Sequence, residues 1–332
     1  MRERKILSII GASGLVGSSI VKEALARGYK VNGTLTKNSD SQKIKYLKKL
    51  TNAENLELYS AEMQKRETLL KPLKNADAVF ICCLIPTYKG FDGTPARELD
   101  YERGYKEIIM PTVNGCLNIL EAAKKNGIKN VLICSSTSST NPVPPVAIKN
   151  EIDHWSDENE QCKSNKFTSA AKTVMEKAAL NYCNKNKMRA SIFLPTGLYG
   201  KTVLPEHLSH NPFLWIKNVI DGGNPRHEKT PNDSASMIHL EDLAKLFLSA
   251  YEDPLASGRY FGVLESFHWK EIYAECKKHL PAMKMPQPLT KEPVEPTKFD
   301  FARRDSLGIK LRDFPSIIKE TIDWLKSRPF SD

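Results

Sequence analysis

The sequence predicts an α/β fold, a doubly wound parallel sheet followed by a smaller α/β lobe. Three observations carry this. An apolar run of Ile6, Leu7, Ile9 and Ile10 breaks at Gly11, then restarts as a helix with Leu15, Val16, Ile20 and Leu25 on its apolar positions. Short apolar runs then alternate with helical periodicity until about residue 195. Beyond about residue 200 the regularity breaks down and proline becomes frequent. Strand–helix alternation of this kind builds parallel sheets covered by helices on both faces, with ligands at the carboxyl ends of the strands.

The first turn is the most informative element. Gly11, Gly14 and Gly17 have the spacing G-x-x-G-x-x-G between a strand and a helix. Such glycines turn the chain sharply, let backbone approach a pyrophosphate, and let the helix pack close on the sheet. Free N–H groups and the positive end of the helix dipole then hold the phosphates. Ser13, Leu15 and Val16 fall inside the same turn and join the expected cofactor contacts.

The other elements follow in order. Tyr29 to Leu35 is a second strand, residues 41–50 a Lys-rich helix, and Leu56 to Ser60 a third strand. Arg66 to Leu73 is a short helix and Ala78 to Ile85 a fourth strand, ended by Pro86. A loop over 87–99 leads into a long helix reaching about Asn126, kinked or restarted at Pro111. Val131 to Ser135 is a fifth strand, followed by a Ser/Thr/Pro-rich loop to Val146. Phe167 to Asn184 is a helix and Ala190 to Leu194 a strand ending in Pro195-Thr196-Gly197. Arg259 to Val263 is read as a late strand of the smaller lobe, and Ser316 to Lys326 as a closing helix.

Bulk properties narrow the class. A chain of 332 residues can bury a large core in one large domain or two unequal lobes. No apolar run is long enough to span a bilayer, and the basic start leads into a strand, so a cytoplasmic protein without a membrane partner is expected. Seven cysteines make an odd count without a C-x-x-C pair, which fits reduced core thiols. The net charge of +10 is spread over separate surface helices; this suits anionic ligands, whereas nucleic acid would need clustered bases and exposed aromatics.

Five stretches carry a family resemblance: GASGLVG (11–17), PTVNGCLNILEAAKKNGIKNVLICSS (111–136), KTVMEKAA (172–179), LPTGLYG (194–200) and MIHLEDLAKLFLSAYEDPLASGRYF (237–261). The chain resembles an extended short-chain dehydrogenase/reductase, within the NAD-dependent epimerase/dehydratase superfamily. Its nearest likeness is the dihydroflavonol 4-reductase and cinnamoyl-CoA reductase branch. The resemblance implies a Rossmann-type domain over 1–200, its sheet completed by a later segment near 235–250, and a mainly substrate-binding lobe over 201–332. It also implies a small-molecule substrate and a monomer or homodimer.

In that family the end of the second strand selects the cofactor, through an acid for NAD or basic residues for the 2′-phosphate of NADP. Here it reads Thr34-Leu35-Thr36-Lys37, with no carboxylate before Asp40. Thr36, Lys37 and Lys43 stand where the resemblance expects the 2′-phosphate to be held, so NADP(H) is expected, with NAD(H) the alternative. Glu62 and Met63 match the adenine pair. Cys82, Cys83 and Leu84 would line the ribose and pyrophosphate path. Pro195, Thr196, Gly197 and Leu198 would touch the nicotinamide amide.

The family's chemistry uses a Tyr-x-x-x-Lys pair and a hydroxyl residue after strand five. A phenol protonates the alkoxide that hydride transfer creates, while lysine lowers the phenol pKa and holds the ribose. KTVMEKAA puts the lysine at Lys172, so the tyrosine should stand at 168, where this chain has Thr168. A threonine hydroxyl is a poor proton relay and is shorter. Ser136 matches the hydroxyl position, with Thr137 the alternative. Three readings remain open: a reductase with its acid from elsewhere (Tyr88, Tyr199, a water on Thr168, or the substrate), hydride transfer to an activated C=C, or a cofactor-binding protein that has lost its chemistry.

Other constellations are weaker. Tyr273 and Lys277 repeat the four-residue spacing by chance on an amphipathic helix. His207 and His210 lack a third ligand, so no metal is expected. Asp242 is read as a helix-capping acid. His154 and Trp155 could border the cleft or simply pack. Tyr88, Phe213 and Trp215, with Phe91 and Phe267, are the bulky residues offered for a substrate pocket.

Overall fold

The structure is a computed structural model describing residues 5–36, 41–83 and 88–331. The chain runs β1 (Ile6–Ile10), α1 (Leu15–Ala26), β2 (Lys30–Leu35), α2 (Ser41–Lys48), β3 (Leu56–Ser60), α3 (Arg66–Leu73) and β4 (Ala78–Ile81). After a loop, α4 (Tyr101–Gly104) passes through a π turn at Tyr105–Ile109 into α5 (Met110–Lys125), then β5 (Asn130–Cys134). The irregular turn lies directly before Pro111, which has no N–H to give the preceding turn and sits in the first turn of α5, where none is needed.

Next come β6 (Ile148–Lys149), α6 (Glu158–Lys163), α7 (Phe167–Lys185), β7 (Arg189–Pro195) and β8 (Leu198–Tyr199). The remainder is α8 (Phe213–Ile220), β9 (Ser234–His239), α9 (Leu240–Glu252), β10 (Gly258–Gly262) and β11 (Glu265–His268), then α10 (Trp269–His279), β12 (Lys298–Phe299), α11 (Ala302–Asp305) and α12 (Phe314–Lys326).

Seven parallel strands form the large sheet in the order β10-β7-β5-β4-β1-β2-β3. Side chains alternate between its faces, as a strand requires. Val79, Ile81, Val131, Ile133 and Ile192 join the core under α3, α5 and α7, around Ile119, Phe167 and Met175. Phe80, Leu132 and Phe193 face the other way, toward Ile20 of α1 and Phe247 of α9. Phe193 and Phe247 meet with ring centroids 4.3 Å apart. Burying a side chain of this size contributes roughly 1.5–3 kcal/mol. The winding reverses between β1 and β4, and the switch point there opens beside the glycine turn.

The small lobe is a three-stranded sheet, β11-β9-β8, covered by α8, α10 and α12 around the fully buried Tyr273, Ile216 and Ile317. Two expectations change here. The large sheet is completed by Gly258–Gly262, pairing with β7, rather than by a segment near 235–250. Residues 234–239 pair with the small sheet instead, and α9 lies against α1. The strand read as part of the smaller lobe is therefore the edge of the large sheet. The cap of α9 is His239, whose Nδ1 accepts from the Glu241 N–H at 3.2 Å, while the buried Asp242 pairs with Arg312.

Candidate functional site

The glycine turn is built as a cradle. Gly11 has φ +88°, and a Cβ there would meet Cys83 Cβ at 2.8 Å. A Cβ on Gly17 would stand 2.1 Å from the Gly11 carbonyl oxygen, so only glycine lets α1 begin this close to β1. The turn is held from β2: Gly11 N–H donates to Thr34 Oγ1 at 3.0 Å and Ala12 N–H to the Thr34 carbonyl at 2.9 Å. The N–H groups of Leu15, Val16 and Gly17 open the helix with no carbonyl one turn behind them to bond. These glycines and free donors fit a dinucleotide's diphosphate.

Two clefts flank this helix start. One, of about 380 Å³, is lined by Gly11, Ser13, Gly14, Thr36, Glu62, Met63, Cys82 and Cys83, among others. It unites the residues expected around the adenosine half. Glu62 is ion-paired with Lys65 at 2.9 Å, and Met63 is buried. Lys43 is paired with Glu206 at 3.0 Å, linking α2 to the segment before α8. Lys37 and Leu84, expected at the 2′-phosphate and the ribose path, lie outside the described residues.

The second cleft, of about 400 Å³, lies on the other side of Leu15 and Val16. Ser136, Thr168, Lys172, Cys134 and Tyr88 line it together with the strand-end residues Pro195, Thr196, Gly197 and Leu198. Thr168 and Lys172 are one turn apart on α7 and so share a face. Ser136 caps the single turn after β5, its Oγ accepting from the Ser138 N–H at 3.2 Å. Burial holds the Lys172 ammonium below the ordinary lysine range, an effect partly offset by Cys134, Glu176, Cys83 and Cys116. Burial pushes the Cys134 thiol up to about 11 and the Cys83 thiol up to about 12, so both stay protonated beside it.

A charged network invisible to sequence spacing underlies the cleft. Glu176, one turn beyond Lys172, accepts from Ser135 Oγ and from Arg259 Nε at 2.8 Å. Arg259 also donates to Ser139 Oγ at 2.9 Å and to the Glu151 carbonyl at 3.0 Å, and stacks 3.6 Å from the Trp155 ring centroid. His154 Nδ1 accepts from the Asn150 N–H at 2.8 Å, so this pair supports the loop. No residue spacing could have joined Glu176 to Arg259, 83 positions away.

Several expected residues lie elsewhere. Phe213 and Trp215 are core residues of the small lobe, against Trp324 and Tyr273, because α8 turns its apolar face inward. They do not line the cleft. Phe267 stacks on Phe314 at 4.0 Å and Phe91 is exposed. Thr137 lines a neighbouring chamber, together with the buried Tyr199. Tyr273 is buried with its hydroxyl on His227 Nδ1 at 2.8 Å, and Lys277 donates to the Pro281 and Met283 carbonyls. His207 is buried with Nε2 on the Ser13 carbonyl at 3.0 Å, tying the small lobe to the glycine turn. No described helix is long and apolar enough to cross a membrane.

Comparison with known proteins matches residues 7–261 to the NAD dependent epimerase/dehydratase family. A cinnamoyl-CoA reductase of Medicago truncatula is 27% identical over 98% of this chain and 97% of its own length. A dihydroflavonol 4-reductase of Callistephus chinensis is 26% identical over 97% of this chain and 86% of its own. Yeast methylglyoxal/isovaleraldehyde reductase, solved with NADPH, shares the fold at a TM-score of 0.78, with 20% identity over 98% of this chain and 99% of its own.

Proposed function

Since the chain belongs to the NAD dependent epimerase/dehydratase family, we propose that it is an NADP(H)-dependent reductase acting on a carbonyl or activated C=C of a small organic substrate. One observation carries the reading: Ser136, Thr168 and Lys172 face a single cleft at the strand ends, directly beside the glycine cradle. The relatives' names, reductases of cinnamoyl-CoA and dihydroflavonol, support it. We assign the division of labour to residues 1–200, with the returning strand, for the cofactor and 201–332 mainly for the substrate.

Bound NADPH would supply the hydride. The residues that fit it are Gly11 to Gly17 for the diphosphate, Thr36 and Lys43 for the 2′-phosphate, Glu62 and Met63 for the adenine, Cys82 and Cys83 for the ribose path, and Pro195 to Leu198 for the amide. Lys172 holds the ribose and puts positive charge beside the reacting oxygen. Ser136 donates to that oxygen and stabilises its developing charge.

Thr168 cannot act as the usual phenol. Its short hydroxyl positions a water or the substrate oxygen, and we assign the proton to Tyr88, which lines the same cleft. The Tyr88 side chain is largely exposed at the cleft, yet desolvation on its cleft side raises the phenol above its ordinary range, so it arrives protonated.

The test measures NADPH binding by quenching of tryptophan fluorescence, and NADPH consumption against a panel of aldehydes, ketones and enones. Turnover that falls in Tyr88→Phe supports the assignment. Tight binding with no turnover on any of them would make this a cofactor-dependent binding protein, and no binding of either nicotinamide nucleotide would end the reading.

A further inference from the structure

The cleft does not end at the reacting groups. Thr196, Gly197 and Asn211 line it on one side and, on the other, a second chamber of about 350 Å³. The shared residues set the two cavities side by side, and the second chamber is polar. Ser234 and Ser236 come from β9, Trp269 from the start of α10, and Arg226 from the loop after α8. The lining contains that cation and no carboxylate.

Two details suit this chamber to an oxyanion. The Arg226 guanidinium carbon lies 5.4 Å from the Trp269 ring centroid, and Arg226 makes no ion pair among the described residues. An arginine set over an aromatic ring keeps its planar fork of N–H donors for a carboxylate or phosphate, which it matches with two parallel hydrogen bonds. Ser236 and Ser266 share one hydrogen bond at 2.7 Å. That bond uses one of the pair's two hydroxyl protons, and the other remains available to donate.

We propose that Arg226 anchors an anion subsite and that the substrate is an acidic one, its carboxylate or phosphate held in this chamber while its reducible carbon stands between Ser136 and Lys172. The proposal rests on the reductase reading for the second half of that statement only. An apolar lining, which any pocket shows, gives no such preference; a charge at a fixed place does.

The experiment titrates the NADP⁺-loaded protein calorimetrically with three probes: 4-formylbenzoate, 4-formylphenyl phosphate and the neutral methyl 4-formylbenzoate. NADPH turnover of each is followed separately. At least one acidic probe should bind roughly tenfold or more tightly than the ester. That advantage should vanish in Arg226→Gln, with NADP⁺ affinity and melting temperature unchanged. A stronger carboxylate or phosphate response identifies which oxyanion the site takes. Equal affinity for acid and ester, a preference that survives Arg226→Gln, or no binding of any probe would overturn the subsite. Acid-selective binding keeps the subsite, and where neither these probes nor the panel of aldehydes, ketones and enones is turned over it removes the reductase reading; equal turnover of all three with equal affinity does the reverse.

Discussion

Arg259 and Glu176 meet at 2.8 Å with both side chains buried, and their bond joins the edge strand of the large sheet to the helix that carries Lys172. Burial alone would push the Glu176 carboxyl up, and Arg259 with the Ser135 and Ser139 hydroxyls opposes it. Removing one member leaves the other charged and alone. Arg259→Ala should cost about 3–5 kcal/mol, read from denaturant unfolding. The paired apolar variant Arg259→Met with Glu176→Leu should cost less than the single change, and a cycle showing the two losses simply additive would contradict this.

Thr168→Tyr restores a phenol one turn before Lys172. If the proton supply is what limits reduction of ordinary ketones, kcat should rise at least about tenfold, within the range that general acid help supplies. In the Tyr88→Phe background the gain should be larger relative to its parent, since the new phenol then replaces a missing donor. Steady-state NADPH oxidation measures both.

Lys43 is engaged by Glu206, so a 2′-phosphate must compete with a carboxylate for it. Glu206→Gln should tighten NADPH about two- to fivefold at low salt and leave NADH unchanged, an effect that fades as salt is raised. Lys43→Ala should weaken NADPH selectively. Fluorescence titration with both nucleotides checks the pair.

His207 binds the Ser13 carbonyl from the other lobe, and burial lowers its pKa, so the neutral ring donates through Nε2. His207→Leu leaves that carbonyl without its partner. Loss of about 1–3 kcal/mol of stability is expected, with weaker NADPH binding because the cradle loosens. Unchanged affinity would show the bond to be a lobe contact only.

Acid should weaken the fold through His239. Burial, with Arg312 adding, pushes its pKa down from 6.5 to about 4. The unfolded chain therefore takes the proton first, so stability is full above the unfolded value and is lost as pH falls toward about 4. Protonated Nδ1 can no longer cap α9, and the charge faces Arg312, Lys22 and Lys245, opposed by Glu241 and Glu320. His239→Asn keeps a cap acceptor without titrating. Its melting temperature should fall less steeply over that window, until Glu241, lowered to about 2, begins to protonate.

The large sheet was legible because strand and helix periods differ and because glycine spacing reports a backbone requirement. Gly11 and Gly17 sit where a Cβ has no room. The cleft residues Ser136, Thr168 and Lys172 were placed by likeness to the family's stretches at 111–136 and 172–179, and the fold brings all three to one cleft. Phe213 and Trp215 were misjudged because an apolar residue in an irregular region looks alike whether it lines a pocket or fills a core. His207, Arg259 and Arg226 act through partners far away in the chain, and no local pattern marks such pairings. The strand 258–262 was seen but assigned to the wrong sheet, since a strand's own residues do not name its neighbour.

That last strand decides how the molecule can be divided. The polypeptide leaves the large sheet at Pro195, builds most of the small lobe's sheet, and comes back to lay Gly258–Gly262 along β7. A fragment ending near residue 200 would therefore leave the rim of β7 bare, a ready template for sticking to other copies. Neither half can be cut out and expected to survive by itself; gene fusions and truncations must keep the round trip whole.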